Sequence, residues 1–109
     1  MAETRKVLSQ TNPSAATLTD SYTVPASTQA IVSSLIVSNN SAVGTSFRVS
    51  VAVAGAADDP KQYIYYDIAI AGNDTFVATL GLTLGAADKI RVYATLATLV
   101  FNVFGVELT

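Results

Sequence analysis

The clearest alternation in this chain runs through Phe47-Arg48-Val49-Ser50-Val51-Ala52-Val53. Four apolar side chains at every second position fall on one side of an extended strand, and the arginine, the serine and the first alanine fall on the other. A helix would scatter those four side chains around its circumference. The stretch therefore predicts a half-buried β-strand.

Six other segments have a similar length and composition, and turn-forming residues separate them at intervals of about ten residues. These segments are Thr17–Val24, Ala30–Asn39, Gln62–Ile70, Thr75–Leu84, Lys89–Thr95 and Leu99–Leu108. The spacing predicts an all-β protein, an antiparallel β-sandwich of seven to eight strands. Jelly-roll and immunoglobulin-like topologies both fit this pattern.

The 109 residues are expected to form one domain preceded by a short arm. Residues 1–16 are polar and predict an N-terminal arm, with a brief strand around residues 6–10. Residues 17–109 predict the β-sandwich domain. The arm is either a disordered terminus or a segment that becomes ordered on a neighbouring subunit.

The chain is unusually poor in charge. Charged residues make up 13% of it and hydrophobic residues 50%, whereas ~25% charged residues are usual. Such a surface is either covered by small polar residues or partly hidden against other subunits, because the cores of interfaces are depleted in charge. The basic residues form no cluster beyond Arg5-Lys6, so we expect no nucleic-acid partner. No apolar run approaches the ~18–20 residues of a transmembrane helix, so we expect no membrane partner.

The composition offers little for catalysis. Histidine and cysteine are absent, which removes the usual general base, the thiol nucleophile and the common zinc ligands. The carboxylates that could support glycoside hydrolysis are Asp58, Asp59, Asp67, Asp74 and Asp88. For calcium, the candidates are Asp58-Asp59 and Asn73-Asp74, neither of which has the spacing of a dedicated site. All of these aspartates except Asp67 fall in predicted turns, where aspartate usually accepts hydrogen bonds from the nearby backbone. We therefore expect no enzyme activity, no catalytic residue, no metal site and no cofactor.

The predicted strand Ala30–Asn39 is apolar on both faces. Strict alternation places Ile31, Leu35 and Val37 on one face and Val32 and Ile36 on the other. A strand of this kind is covered by a second layer or lies against another subunit.

The predicted strand Leu99–Leu108 has the same two-sided character. Phe101 and Val103 lie on the face opposite to the one shared by Val100, Phe104, Val106 and Leu108. We expect Phe101 and Val103 to face either a neighbouring subunit or a second sheet, and they are candidate interface residues.

Tyrosines cluster in the predicted strand Gln62–Ile70. Alternation places Tyr63, Tyr65 and Asp67 on one face and Tyr66 on the other. Tyr63 and Tyr65 are therefore further candidate interface residues, because tyrosine is enriched in protein interfaces. Cross-strand packing and a carbohydrate platform are the alternatives.

Several segments resemble a pattern found in small virion proteins of tailed bacteriophages. They lie between residue 20 and the end of the chain and comprise Tyr22–Thr28, Ile31–Ser41, Phe47–Val49, Tyr63–Asp67, Asp74–Phe76, Asp88–Ala94 and Phe101–Leu108. The resemblance implies a non-enzymatic β-sandwich subunit of the phage particle, a capsid decoration or cement protein, and it transfers no catalytic residue. It implies the major capsid protein or other virion proteins as partners, and localisation in the virion after assembly in the host bacterial cytoplasm. Because cement proteins often sit on three-fold axes, we expect a homo-oligomer, with a trimer favoured.

Three other functions fit the same pattern. The chain could be a tail, neck, baseplate or fibre component of the virion, built on the same sandwich. The second alternative belongs to a different functional class: a carbohydrate-binding module or adhesin that uses Tyr63 and Tyr65. A cellular β-sandwich without any viral connection is the third.

Overall fold

The computed structural model describes residues 2–109, which form eight β-strands and no α-helix. The strands are β1 (Glu3–Thr11), β2 (Thr19–Thr23), β3 (Gln29–Asn39), β4 (Thr45–Ala52), β5 (Tyr63–Ile70), β6 (Thr75–Leu84), β7 (Lys89–Ala94) and β8 (Leu99–Leu108). Two single turns of 3₁₀ helix, Val53–Gly55 and Pro60–Gln62, lie between β4 and β5. Within this described range, no helix has the length and apolar character needed to cross a membrane.

The strands form two four-stranded antiparallel sheets. The first sheet has the order β1-β8-β3-β6, and the second has the order β2-β7-β4-β5. The pairings are nested, since β1 pairs with β8, β2 with β7, β3 with β6 and β4 with β5. The predicted all-β, antiparallel class is confirmed, with eight strands.

The two sheets bury their apolar residues in one common cluster. Phe47, which is fully buried in β4, lies at its aromatic centre. The Phe47 ring centroid is 5.2 Å from that of Phe76 and 6.0 Å from that of Phe101, both in the first sheet. Each buried aromatic side chain removes a large apolar area from water, so these contacts stabilise the packing of one sheet on the other.

The strand β4 ends one residue earlier than its alternation suggests. Phe47 and Val49 are buried as predicted, but Val53 is 70% exposed and begins the first 3₁₀ turn. Ser50 is buried although its side was predicted to face outward. The loop of residues 53–62 accounts for this, because Arg91, the partner of Ser50 in β7, binds two carbonyl oxygens of that loop on the outer side of the sheet.

A register shift changes the predicted faces of β3. The pairing of β3 with β6 and with β8 shifts between Val32 and Ser34. Val32, Leu35 and Val37 are consequently all buried, whereas Ile31 is exposed. The prediction that Leu35 and Val37 lie opposite Val32 is therefore wrong. A β-bulge inserts one extra residue, and alternation changes phase on either side of it.

The N-terminal segment is part of the first sheet. Residues Glu3–Thr11 form β1, which pairs with β8 from Glu3 opposite Leu108 to Thr11 opposite Phe101. The sequence predicts only a brief strand around residues 6–10 within an arm, so the strand is longer than expected. Its stability comes from the β8 ladder, which the polar composition of residues 1–16 does not reveal.

Candidate functional site

Two of the predicted interface residues lie in the core. Phe101 and Val103 have no exposed surface and belong to the cluster between the sheets. They therefore face the second sheet, and the alternative of a contact with a neighbouring subunit is wrong for both. Alternation along β8 directs the next residues, Asn102 and Phe104, to the outer side of the first sheet.

That outer side carries apolar residues on all four strands, which we call the apolar face. Several of them lie opposite one another in neighbouring strands: Val7 lies opposite Phe104, Val106 opposite Ile31, and Ile36 opposite Val77. Val77 is 62% exposed and Val7 is 47% exposed. The apolar face comprises Val7, Ile31, Ile36, Val77, Val100, Phe104 and Val106.

The apolar face is nearly free of charge. Within residues 2–109, the charged side chains on this side of the first sheet are Glu3 and Arg5, and these form an ion pair of 2.9 Å at the end of β1. Serine, threonine, asparagine and glutamine fill the other outward positions of β3, β6 and β8. Exposed apolar area surrounded by neutral polar residues is typical of a protein-interaction surface.

The other two predicted interface residues, Tyr63 and Tyr65, lie on opposite faces of β5. The pairing of β5 with β4 shifts on both sides of Val49, which lies opposite Tyr65. The Tyr65 ring packs against the core, 5.3 Å from Phe76. Tyr63 lies on the outer side of the second sheet. The prediction of a shared outward face is wrong, because two register shifts separate residues that strict alternation would place together.

The outer side of the second sheet carries a stacked cation. The guanidinium carbon of Arg48 is 4.2 Å from the ring centroid of Tyr66 and 4.5 Å from that of Tyr93. Arg48 also donates hydrogen bonds to both carboxylate oxygens of Asp67, at 2.6 and 3.3 Å. The hydrogen bond that Arg48 donates to Asp67 raises the pKa of the Arg48 guanidinium. Because the carboxylate balances the charge, this arrangement is a rigid, nearly neutral surface rather than an anion site.

Asp67 reaches Arg48 because of its backbone. It has a φ of +52° and lies at the first register shift, where two residues of β5 occupy the space opposite Arg48. Asparagine and aspartate tolerate this left-handed conformation better than most residues. The bulge turns Tyr66 and Asp67 toward the same arginine. Arg48 was predicted to lie on the face of its strand opposite to Phe47 and Val49, but strict alternation gave no signal that Tyr66 would join it.

A groove of about 450 Å³ lies beside the stacked arginine. It is lined by Arg48, Asp58, Pro60, Tyr63 and Tyr66. The Tyr63 hydroxyl donates a hydrogen bond to Asp58 at 2.8 Å, and the Tyr63 ring meets the Tyr66 ring edge to face at 83°. Burial, with a smaller contribution from the hydrogen bond to Asp58, raises the pKa of Tyr63 to about 12. We call this group the tyrosine groove.

The loop aspartates are engaged in local hydrogen bonds. Asp59 accepts from the Lys61 amide at 3.1 Å, Asp74 from the Thr75 amide at 2.8 Å, and Asp88 from the amides of Ala54 and Gly85. These are the backbone contacts typical of aspartate in turns. No group of three potential metal ligands occurs in the described part of the chain.

Comparison with protein-family models, with curated proteins and with solved structures finds no match to this chain.

Proposed function

We propose that this chain is a structural protein of a bacteriophage virion, a capsid decoration or cement protein that stabilises the head through protein–protein contacts. The observation that carries the proposal is the apolar face, which is almost free of charge and includes the exposed side chains of Val7, Ile31 and Val77. Burying such a surface between shell subunits lowers the free energy of the assembly without any chemical step. The proposal includes no enzyme activity. It includes the major capsid protein or another virion protein as the partner, and the virion as the location.

We also propose that the two sheets form a jelly roll. The nested pairing of β1 with β8, β2 with β7, β3 with β6 and β4 with β5 supports this topology. An immunoglobulin-like sandwich would instead pair its first strand with its second. Jelly rolls are found in viral capsid proteins and also in lectins. This analogy supports the virion role only at the level of the fold.

The homo-oligomer in this proposal has three copies. A three-fold arrangement matches the symmetry positions that a shell offers to a cement protein. Phe101 and Val103 are unavailable for it because they lie in the core. We propose that Ile31, Phe104 and Val77 of the apolar face replace them as contact residues.

The test is binding of the purified chain to preformed heads of the phage whose genome carries its gene. Co-sedimentation should retain the wild-type chain on the heads. The double variant Phe104→Ser, Val77→Ser should lose most of this binding, because it places hydroxyls in the apolar face. Tyr66→Ala, on the opposite sheet, is the matched control and should bind like the wild type. Equal binding by the wild type and the double variant would refute a role for the apolar face.

Cryo-electron microscopy of intact particles distinguishes the head from the other positions in the virion. Density on the head surface would support the decoration role. Density restricted to the tail, neck, baseplate or fibres would favour the alternative virion position. A chain that binds no particle at all would refute both.

A carbohydrate-binding function is a second candidate, supported by the tyrosine groove. Tyr65 cannot take part because it packs in the core, so the candidate residues become Tyr63 and Tyr66. Their rings are nearly perpendicular and Arg48 covers one face of Tyr66, so they offer no flat platform of two rings. Glycan-array binding that disappears in Tyr66→Ala, while Phe104→Ser leaves it unchanged, would favour this candidate.

A further inference from the structure

The edges of the two sheets are not equally protected. The edge strands are β1 and β6 in the first sheet and β2 and β5 in the second. The strand β1 carries three charged residues, Glu3, Arg5 and Lys6. The strand β2 has five residues and a register shift, and β5 has two register shifts. Charges, short length and bulges are the features that prevent an edge strand from pairing with another chain.

The strand β6 differs from these three because it is long and carries no charge, although its pairing with β3 shifts once, opposite Ser33. Its ten residues, Thr75–Leu84, include no charged residue and no proline. It alternates regularly, with Ala78 and Leu84 buried and Thr79 and Thr83 exposed. One side of β6 pairs with β3, and no other strand in the described part of the chain pairs with its free side. A long and uncharged edge is a template for strand addition.

The sandwich has two open sides, where an edge strand of one sheet lies beside an edge strand of the other, and these sides also differ in how well they are closed. On the side of β1 and β2, hydroxyl groups close the gap between the sheets, since Ser21 shares hydrogen bonds with Ser9 at 2.9 Å and with Thr11 at 2.8 Å. On the side of β5 and β6, no comparable hydrogen bond links the two strands among the described residues. Ile64 is 39% exposed there. It lies beside Leu80 and Leu82, which are only half-buried.

We propose that β6 of one copy pairs in antiparallel register with β6 of a second copy of this chain, which joins their first sheets into one continuous eight-stranded sheet. Each of the other edge strands carries at least one charged residue, including Asp20 in β2 and Asp67 in β5, so the partner edge that fits β6 best is another β6. Self-pairing brings no like charges together, because β6 contains none. The second copy also covers the exposed parts of Ile64, Leu80 and Leu82.

Alternation restricts the register of this contact. Residues directly opposite each other in an antiparallel pair lie on the same face, so a slip of one residue would expose the apolar set. An antiparallel pair of identical strands has a two-fold axis, and when the strands overlap over nearly their full length this axis passes beside Thr79 or beside Leu80. In the register centred on Thr79, the two Thr79 residues lie directly opposite each other. In the register centred on Leu80, they lie diagonally across the pair, within reach of a long side chain.

The contact uses the edge of the sheet and leaves the apolar face open. It does not rest on the proposed virion function, because it requires only this chain. If the apolar face forms trimers, the β6 contact links copies that belong to different trimers. In either case the particle contains an even number of chains.

The experiment is sedimentation equilibrium of the full chain and of Thr79→Lys, Thr79→Glu and their equimolar mixture. Thr79 is exposed, so either charge is compatible with the fold, and the circular dichroism spectrum should be unchanged. We expect an even number of chains for the wild type and half that number for each single variant, because like charges meet across the axis. The mixture should recover the wild-type mass, because lysine then lies next to glutamate. Thr4→Lys on the opposite edge strand is the control and should keep the wild-type mass.

Four results would overturn the inference: a monomeric or odd-numbered wild type at micromolar concentration, a wild-type mass for both single variants, a mixture that does not reassociate, or dissociation caused by Thr4→Lys. Should Thr79→Lys fail to fold, Thr79→Arg and Thr79→Asp provide the same comparison at the same position. None of these measurements involves a phage head. Failure of the β6 contact is therefore distinguishable from failure of the proposed function.

Discussion

The hydroxyl of Tyr22 donates a hydrogen bond of 2.5 Å to the Oε2 atom of Glu107, and this bond connects β2 of one sheet to β8 of the other. Lys6 binds the second carboxylate oxygen of Glu107 at 3.0 Å. The hydrogen bond from Tyr22, followed by that from Lys6, lowers the pKa of Glu107 below its ordinary value of 4.5. Burial, and then the contact with Glu107, raises the pKa of Tyr22 above its ordinary value of 10.0.

The first prediction concerns the pH dependence of stability. Because the pKa of Glu107 is lowered on folding, its contribution is present above pH 4.5 and is lost as the pH falls below that value. Because the pKa of Tyr22 is raised on folding, its contribution is present below pH 10.0 and is lost as the pH rises above that value. Tyr22→Phe should lower the free energy of unfolding at neutral pH by about 1–2 kcal/mol. It should also flatten both limbs of the pH profile.

Urea denaturation at a series of pH values measures this effect. Tyr93→Phe, which leaves the Tyr22–Glu107 pair intact, is the matched control and should keep both limbs. An unchanged pH profile in Tyr22→Phe would contradict the assignment.

The second prediction compares two glycines. A Cβ atom at Gly105 would lie 2.1 Å from the carbonyl oxygen of Ile31 in the neighbouring strand, whereas a Cβ atom at Gly81 would meet no atom within 4 Å. Gly105→Ala should therefore lower the free energy of unfolding by about 1–3 kcal/mol or more, because β8 and β3 must move apart. Gly81→Ala should be neutral or stabilise by about 0.4–1 kcal/mol. Equal melting midpoints for the two variants would refute the close approach.

The third prediction separates the core from the apolar face. Phe101→Ala should lower the free energy of unfolding by about 3–5 kcal/mol, because it leaves a cavity beside Phe47. Phe104→Ala should cost about 1 kcal/mol in the isolated chain, because its ring is only half-buried on the outer face. Denaturant titration of both variants in their dissociated state is the measurement. A larger loss for Phe104→Ala than for Phe101→Ala would reverse the assignment of the two faces.

The fourth prediction concerns the tyrosine groove. Tyr63 should titrate with a pKa of about 12, and Asp58→Asn should lower this pKa because it removes the carboxylate that the hydroxyl contacts. The pKa should stay above 10.0, since burial is the larger cause of the shift. Nuclear magnetic resonance with labelled tyrosine follows the ring directly. An unaltered titration of Tyr63 in Asp58→Asn would show that the hydrogen bond has no influence.

The fifth prediction concerns the stacked arginine. Arg48→Lys keeps the charge but loses the planar group between Tyr66 and Tyr93 and the paired contact with Asp67. It should lower the free energy of unfolding by about 0.5–1 kcal/mol. Arg5→Lys is the matched control: the Arg5 side chain is 81% exposed, so the substitution should have no measurable effect. Equal effects of the two substitutions would indicate that the stacking contributes nothing.

Regular strands were predictable because their own side chains specify a period of two. The strand β6 shows this best: the sequence predicts Phe76, Ala78, Leu80, Leu82 and Leu84 on the inner face, and the structure buries them partly or fully there. In β7, Ile90, Val92 and Ala94 are buried as predicted. Neither strand contains a residue with a positive φ value, so inner and outer side chains alternate regularly from one end of each strand to the other.

Bulged strands were not predictable in the same way. Tyr63 and Tyr65 form a pair in the sequence, but the register shifts against β4 place the first outside and the second in the core. The bulge at Ser33 has the same effect on Val32 and Leu35 in β3. A bulge depends on how a strand pairs with its neighbours, and those neighbours are distant in the chain.

By itself, the sequence determined that this protein consists of strands, that it carries few charges and that its turns use aspartate and glycine, because these properties depend on neighbouring residues. Tertiary structure alone decided which of two apolar faces became the core, and it brought Arg48, Tyr66 and Tyr93 together from three different strands. It also left β6 as a long edge strand without charges. The physical reason is that register, bulges and sheet order are set by pairing between strands far apart in the chain, and a local alternation of residues carries no information about that pairing.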